Sequence, residues 1–418
     1  MFACEILIMA QNDFDLLISG AGPAGCTLAL NMAPLGIRIG ILEKDVFPRQ
    51  KICGDALSGK VISVMKRIPG GVYENFLANV EKTPSAGIRF TAPGGASVNI
   101  PFSLSPDPQQ PAPGYVCLRK DLDQFMAEML KKHPNIELLQ RERIDNVIIH
   151  PDGVRVTTQS RILSSNVIAG ADGVHSVVRK SLQADAVPKK HFCVGIRGYF
   201  KHVDGLHPEN FIELIFLKKL IPGYFWIFPA PGGLVNAGFG ILQPAVLRRR
   251  ENLSNVLNDI ILNDPIIAPR FLNATAIGKP EAHLLPLGTR KFSRSGNRFL
   301  LLGDAAFLVD PFSGEGIGNA MASGEIAAKI LADCFSKGDF SAGSLAAYDE
   351  RIRHRFFNEF RIMSIMQVLA GSSSLLNLVI KKAGRNPDLN ALLTQMFTNM
   401  DIRKSLTRPG FYARLLFK

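Results

Sequence analysis

Only six of the 418 residues are cysteine, and Cys4, Cys26, Cys53, Cys117, Cys193 and Cys334 stand far apart. None forms a C-x-x-C pair, so neither a disulfide framework nor a cysteine zinc site is expected, and the usage suits a reducing compartment. The eight histidines show no H-E-x-x-H or other ligand spacing, so no metal is implied. G-x-S-x-G is missing, which leaves serine hydrolase chemistry without a foothold. Tracts of biased composition and internal repeats are absent too. With 47% hydrophobic and 20% charged residues the chain reads as a folded globular protein of two or three domains. Met1 to Ala10 is apolar but lacks a basic start and contains Glu5, so a secretory leader is not expected. A single uncharged run, Leu16 to Ile37, has the length of a membrane span, yet it carries four glycines and two prolines. A membrane span is therefore not expected.

Acidic residues are the scarcer sign: 48 basic against 36 acidic side chains give a net charge of +12. Residues 371–418 hold eight basic and two acidic residues, so +6 of that excess lies in the last 48 positions. Apolar clusters such as Leu375-Leu376-Asn377-Leu378-Val379-Ile380 are interleaved with them. Such a region suits peripheral contact with an anionic membrane surface, and equally a solvated helical cap. No reading motif organises the basic residues for nucleic acid.

Asp13 to Glu43 reads as strand, tight turn, helix and strand, with Gly20-Ala21-Gly22-Pro23-Ala24-Gly25 at the turn. Gly20 permits the sharp bend and Gly22 lets the backbone approach a pyrophosphate. Gly25 allows close packing of helix on strand, and the helix N-terminus supplies amide donors. Glu43, ending the second strand beside Lys44, is placed to bind a ribose diol. The uncharged run is thus a buried βα unit. Further strands are expected at Val147–His150, Val154–Thr158, Val167–Ala169, Phe211–Phe216, Tyr224–Pro229 and Phe299–Leu302. Helices are expected at Cys26–Leu35, Asp121–Lys132, Ile317–Phe335, Leu345–Ala370 and Leu389–Met400. The Pro- and Gly-rich stretch Thr91 to Gly114 reads as a long surface excursion.

Two more segments run from strand into turn and helix: Ala169-Gly170-Ala171-Asp172-Gly173 with Arg179 beyond it, and Leu302-Gly303-Asp304-Ala305 leading to Pro311-Phe312-Ser313-Gly314-Glu315-Gly316-Ile317. With the first glycine turn, they resemble the three fingerprints of FAD-dependent enzymes of the p-hydroxybenzoate hydroxylase-like fold. The resemblance follows their order and covers nearly the whole chain. It implies FAD as cofactor, with Asp304 accepting from ribityl hydroxyls and the helix opening near Gly316 and Ile317 directed at the flavin. It also implies that Arg119 reaches the flavin or its phosphates and that Asp172 serves the cofactor or its turn.

Tyr224-Phe225-Trp226-Ile227-Phe228-Pro229, followed after eight residues by Gly238-Phe239-Gly240, resembles the Y-x-W-x-F-P-x8-G-x-G signature of the geranylgeranyl reductase family. Alternation puts Tyr224, Trp226 and Phe228 on one strand face, and the two glycines make room opposite. Lys51-Ile52-Cys53-Gly54-Asp55 is similar to that family's Lys-x-Cys-Gly-Gly segment, departing from it at Asp55. The resemblance implies substrate contacts from Gly54, Tyr224, Trp226, Phe228, Pro229, Gly238 and Gly240, and a catalytic thiol at Cys53, though an inert buried cysteine is an equal reading.

The expected architecture is α/β: a Rossmann-like FAD-binding domain from residues 13–83, 117–188 and 283–345, an inserted β-sheet substrate domain from 84–116 and 189–282, and a helical C-terminal region, 346–418. The expected activity is hydride transfer from flavin to C=C bonds of an isoprenoid or lipid-like molecule in the cytoplasm, at the membrane surface if the tail binds there. Only one nucleotide-binding fingerprint is present, so the donor, NAD(P)H or a reduced electron-carrier protein, binds transiently. A flavin monooxygenase or halogenase of the same fold is the main alternative. The prenyl-carrying GDP-dissociation inhibitors share the fold without redox work, and the intact Gly20, Gly22, Gly25, Glu43 and Asp304 argue against them.

Overall fold

The computed structural model describes residues 12–103, 110–182, 187–387, 389–391 and 394. The expected helix at Leu389–Met400 and the first ten residues lie largely or wholly outside them.

Phe14–Ser19 is an apolar hexapeptide whose Leu16, Leu17 and Ile18 are fully buried. Burial on both faces suits a central parallel strand, and each such side chain contributes roughly 1.5–3 kcal/mol. It pairs in parallel with Ile39–Glu43 on one side and Ile162–Gly170 on the other. The sheet continues outward to Ile136–Gln140 at one edge and through Phe299–Leu301 to Ser295–Gly296 at the other. Antiparallel strands Ile144–Ile149 and Val154–Thr158 attach to Ile162–Gly170. Helix Pro23–Met32 covers this sheet and is itself crossed by helix Ile317–Lys337. Their contact is close because Gly324 has no side chain: a Cβ there would stand 2.5 Å from the Ala24 carbonyl oxygen.

A second, seven-stranded sheet has the order Thr275–Pro286, Phe192–Lys201, Val235–Leu242, Tyr224–Pro229, Ile212–Ile215, Gly87–Thr91, Ser97–Pro101. Period-two alternation divides its side chains. Phe225, Ile227, Phe239 and Ile241 pack with Leu257, Ile260 and Phe271, which lie on helix Leu253–Asn263 and the short turn after it. The opposite face carries Ile88, Phe90, Leu214, Trp226 and Phe228. Helices Asn358–Leu369 and Ser373–Ala383 close over part of it with Ala370, Ile380 and Ala383.

Within Thr91 to Gly114, expected as a surface excursion from its composition, the described residues include a strand of the second sheet. Ser97–Pro101 forms a hairpin with Gly87–Thr91, and Val98 and Ile100 are buried. The Gly94-Gly95 turn and the alternating V-N-I core define a strand that the surrounding prolines obscure. The helical run expected at Leu345–Ala370 is interrupted by a π-helical turn at Arg353–Phe357. The first helix ends at Met32, where Pro34 tightens the chain into a 3₁₀ turn capped by Gly36 at φ +69°. Among the described residues no single helix is long and apolar enough to cross a membrane.

Candidate functional site

A cavity of about 1740 Å³ lies between the two sheets. The glycine turn forms one end of it. Gly20 takes φ +97°, and a Cβ there would meet the Ala171 carbonyl oxygen at 2.6 Å. At Gly25 a Cβ would stand 2.1 Å from the Gly20 oxygen, whereas at Gly22 only a guanidinium nitrogen of Arg49 comes within 4 Å. Gly22 therefore faces open space. Gly22, Pro23, Ala24, Glu43 and Lys44 line the cavity, while Gly25 is spent on packing. Glu43 is buried and already engaged: its carboxylate accepts from the N–H groups of Ala21 (3.1 Å) and Asp45 (3.2 Å) and faces Arg49 at 3.4 Å.

Asp304, at the end of Phe299–Leu301, lines the same space and has no ion pair or side-chain hydrogen bond among the described residues. Burial pushes its carboxyl above the usual range, with Lys51 and Arg119 opposing. Pro311, Gly314, Gly316 and Ile317 continue the wall. Asp310 fixes this turn by accepting from the N–H groups of Phe312 (2.9 Å) and Ser313 (2.7 Å). Helix Ile317–Lys337 starts there without a side-chain cap, as helix Pro23–Met32 does at Gly22. Two uncapped helix N-termini thus open on one cavity. Asp172 caps helix Val177–Leu182 through Oδ2, which accepts from Val177 (2.7 Å) and Val178 (3.3 Å), and its buried Oδ1 has no hydrogen-bond partner among the described residues.

Arg119 lines the cavity and is itself held by a carboxylate of the protein. It is chelated by Asp123 at 2.8 and 2.9 Å, and Asp123 also holds Arg49 at 2.9 Å. Arg119 and Arg49 still line the cavity, but the carboxylate between them neutralises part of their charge. Lys51 lines the cavity too, and its Nζ sits 2.9 Å from His283 Nε2. Burial and the Lys51 charge push His283 down to about 3, so the imidazole is neutral at ordinary pH. Neither His283 nor the Arg49–Asp123 pair was singled out by the sequence, because their partners are remote along the chain.

The other end of the cavity is apolar. Tyr224, Trp226 and Phe228 line it together with Ile88, Phe90 and Phe216. Trp226 lies opposite Gly238 in the sheet register, and Tyr224 opposite Gly240. A Cβ at Gly238 would come within 2.8 Å of the Trp226 ring, so the glycine makes the room the indole occupies. Gly240 reaches the cavity, whereas Gly238 and Pro229 are not among its lining residues. The Tyr224 hydroxyl donates to the Ser313 carbonyl, joining the aromatic strand to the Gly314 turn.

Cys53 and Gly54 stand where the polar and apolar ends meet. Cys53 Sγ accepts the Asp55 N–H at 3.3 Å. Burial pushes the thiol up; the Arg119 guanidinium opposes this and the Asp55 carboxylate adds to it. The thiol therefore keeps its proton at neutral pH.

These features fit FAD: two free helix N-termini, an unpaired carboxylate at Asp304, an orphaned Asp172 oxygen and an open approach at Gly22. Residues 13–196 match the family model described as "FAD binding domain". The chain is 28% identical over 417 residues to the digeranylgeranylglycerophospholipid reductase of Methanothrix thermoacetophila, covering 94% of each protein. It is 28% identical over 333 residues to the menaquinone reductase of Mycolicibacterium smegmatis, covering 76% of each. Among solved structures, a geranylgeranyl bacteriochlorophyll reductase-like protein from Thermoplasma acidophilum superposes with a TM-score of 0.78 at 21% identity, covering 94% of this chain and 98% of that one. The halogenase PltM with FAD gives 0.74 at 18%, covering 95% and 85%. Cavity, cofactor loops and matches define an FAD-dependent oxidoreductase of the p-hydroxybenzoate hydroxylase-like fold. Within that class the chain resembles the geranylgeranyl reductases and not merely the shared fold.

Proposed function

We propose that this protein saturates C=C bonds in the chain of an isoprenoid lipid. The observation that carries the reading is the continuity of the cavity from the cofactor loops to the wall of Tyr224, Trp226 and Phe228. That wall is flat and apolar, and Leu376, Val379 and Ile380 extend it, so a hydrocarbon lies along it without a buried polar cost. The reductase relatives support this substrate class.

Bound FAD supplies hydride chemistry when reduced by NAD(P)H or an electron-carrier protein. The chain's residues do the remainder. Gly22, Pro23 and Ala24 present backbone to the pyrophosphate, Glu43 and Lys44 hold the adenosine end, and Asp304 accepts from the ribityl hydroxyls. Residues 13–83, 117–188 and 283–345 carry this cofactor role, while 84–116 and 189–282 carry the substrate. Trp226 and Phe228 orient the alkene and exclude water. Cys53 gives its thiol proton to the alkene carbon that does not receive hydride: the S–H bond breaks, a C–H bond forms, and the thiolate is held by the Asp55 N–H and Arg119.

The exposed apolar side chains Ile365, Val368 (76% exposed) and Leu378, next to Lys381 and Lys382, support docking of the C-terminal helices on an anionic membrane from the cytoplasmic side. The decisive experiment is anaerobic single turnover of dithionite-reduced, FAD-loaded protein with a geranylgeranylated glycerolipid, read by mass spectrometry. Gain of two hydrogens per bond with reappearance of oxidised flavin is expected. A product that forms only with oxygen, and carries an oxygen atom, would overturn the reading in favour of the monooxygenase.

A further inference from the structure

Asp55 is fully buried, and its backbone takes φ +68°, a left-handed conformation that aspartate tolerates better than most residues. Its carboxylate is met by donors from separate parts of the fold. Oδ1 accepts the Arg119 N–H at 3.1 Å, at the start of helix Arg119–Leu130. Oδ2 accepts the Tyr199 hydroxyl at 2.6 Å and Asn236 Nδ2 at 2.7 Å, from neighbouring strands of the second sheet. The same Asn236 nitrogen donates to the Cys53 carbonyl at 2.8 Å, and Asn236 Oδ1 accepts the indole N–H of Trp226 at 2.9 Å.

All these groups point donors at position 55, so only an acceptor on both oxygens satisfies them; an amide cannot. Turning an asparagine either way would set its NH2 against the Arg119 N–H or against Asn236. If Asn236 turned in response, it would lose Trp226 and Cys53. The connection is short. The Cys53 thiol is bonded to the Asp55 N–H, the Asp55 carboxylate to Asn236, and Asn236 to Trp226.

We propose that Asp55 is a positioning residue that locks the Cys53 thiol and the Trp226 indole into one fixed relation across the cavity. The proton source and the aromatic wall are thereby held as a unit, although they lie on a loop and on a strand far apart in sequence. The inference rests on the reading that Cys53 and Trp226 face the reacting part of the cavity. Its test reads the network itself, so it survives or fails independently of whether the substrate is an alkene.

Trp226 is the only tryptophan in the sequence, so intrinsic fluorescence reports on that indole alone. The experiment compares Asp55→Asn, Tyr199→Phe and surface Lys120→Ala with wild type, as flavin-loaded protein and after flavin removal. Trp226 emission is read together with the rate of Cys53 alkylation by iodoacetamide, located by peptide mass spectrometry across pH 7–10. Asp55→Asn is expected to shift the emission and to speed Cys53 alkylation roughly fivefold or more, as the loop loses charged hydrogen bonds. Lys120→Ala should leave both as they are. Tyr199→Phe removes a single O–H and should move both readouts in the same direction by less; it carries the test if Asp55→Asn does not accumulate folded protein. Unchanged emission and alkylation in folded Asp55→Asn, or a change in one without the other, would overturn the proposal.

Discussion

At the scale of single residues, the site is governed by which polar groups already have partners. Glu43 and Arg119 are engaged within the protein, whereas Asp304 is free among the described residues and Cys53 carries a protonated thiol. If Cys53 donates the proton, Cys53→Ala should retain FAD at wild-type stoichiometry while single-turnover product formation drops by about 100-fold, a usual contribution from one general acid. An unchanged rate would assign the proton to water. His283 offers a pH test. Its native pKa is lowered to about 3 from an ordinary 6.5, so between those values the unfolded chain binds a proton that the native state refuses. Native stability should therefore fall as pH drops below 6.5, and His283→Gln should lose that part of the slope. Urea unfolding of the flavin-free proteins at pH 7 and pH 5 would show it; parallel pH dependences would contradict the burial argument.

At the scale of elements, what was legible in the sequence was local. The glycine turn, its flanking strands and the aromatic strand Tyr224–Pro229 were readable because their signals lie within a few residues, and the last was found at its observed bounds. The hairpin at Ser97–Pro101 was not, since loop-like composition around a short strand outweighs its alternation. The network around Asp55 was invisible for another reason: Tyr199, Asn236 and Arg119 reach it only through the packing of two sheets. One trace existed, an asparagine within the otherwise apolar run Val235–Leu242. A close backbone contact also gives a forecast. A methyl group at Gly25 would stand 2.1 Å from the Gly20 oxygen, so helix Pro23–Met32 must shift off its strand. Gly25→Ala should lower thermal stability and abolish FAD retention, read by absorbance of the purified protein. Retention of full flavin content would show that the helix relaxes at no cost.

At the scale of the whole molecule, the cavity is a joint product of both sheets and the C-terminal helices. Helices Asn358–Leu369 and Ser373–Ala383 give Met363, Met366 and Ile380 to its lining while turning Val368 and Leu378 outward. The same pair therefore sits between the proposed bilayer and the hydrocarbon wall. Lys381→Glu with Lys382→Glu should weaken partition onto phosphatidylserine vesicles by about tenfold or more at low salt, each lysine being worth about 1 kcal/mol at an anionic surface. Salt-insensitive partition, equal for both proteins, would remove the electrostatic part of the docking model.

The strand order has one more consequence, for synthesis. The strand Ile162–Gly170 sits between Phe14–Ser19 and Phe299–Leu301, so the nucleotide-binding sheet closes only when its latest-made member arrives. A growing polypeptide emerges from the ribosome with its first glycine turn early and Asp304 only after the entire second sheet has followed. Throughout that interval the greasy wall is exposed to water, with no cofactor to bind and no helices to cover it. Apolar surface left uncovered over that interval favours aggregation, and it is covered only after the Asp304 turn and the helices beyond it have been made.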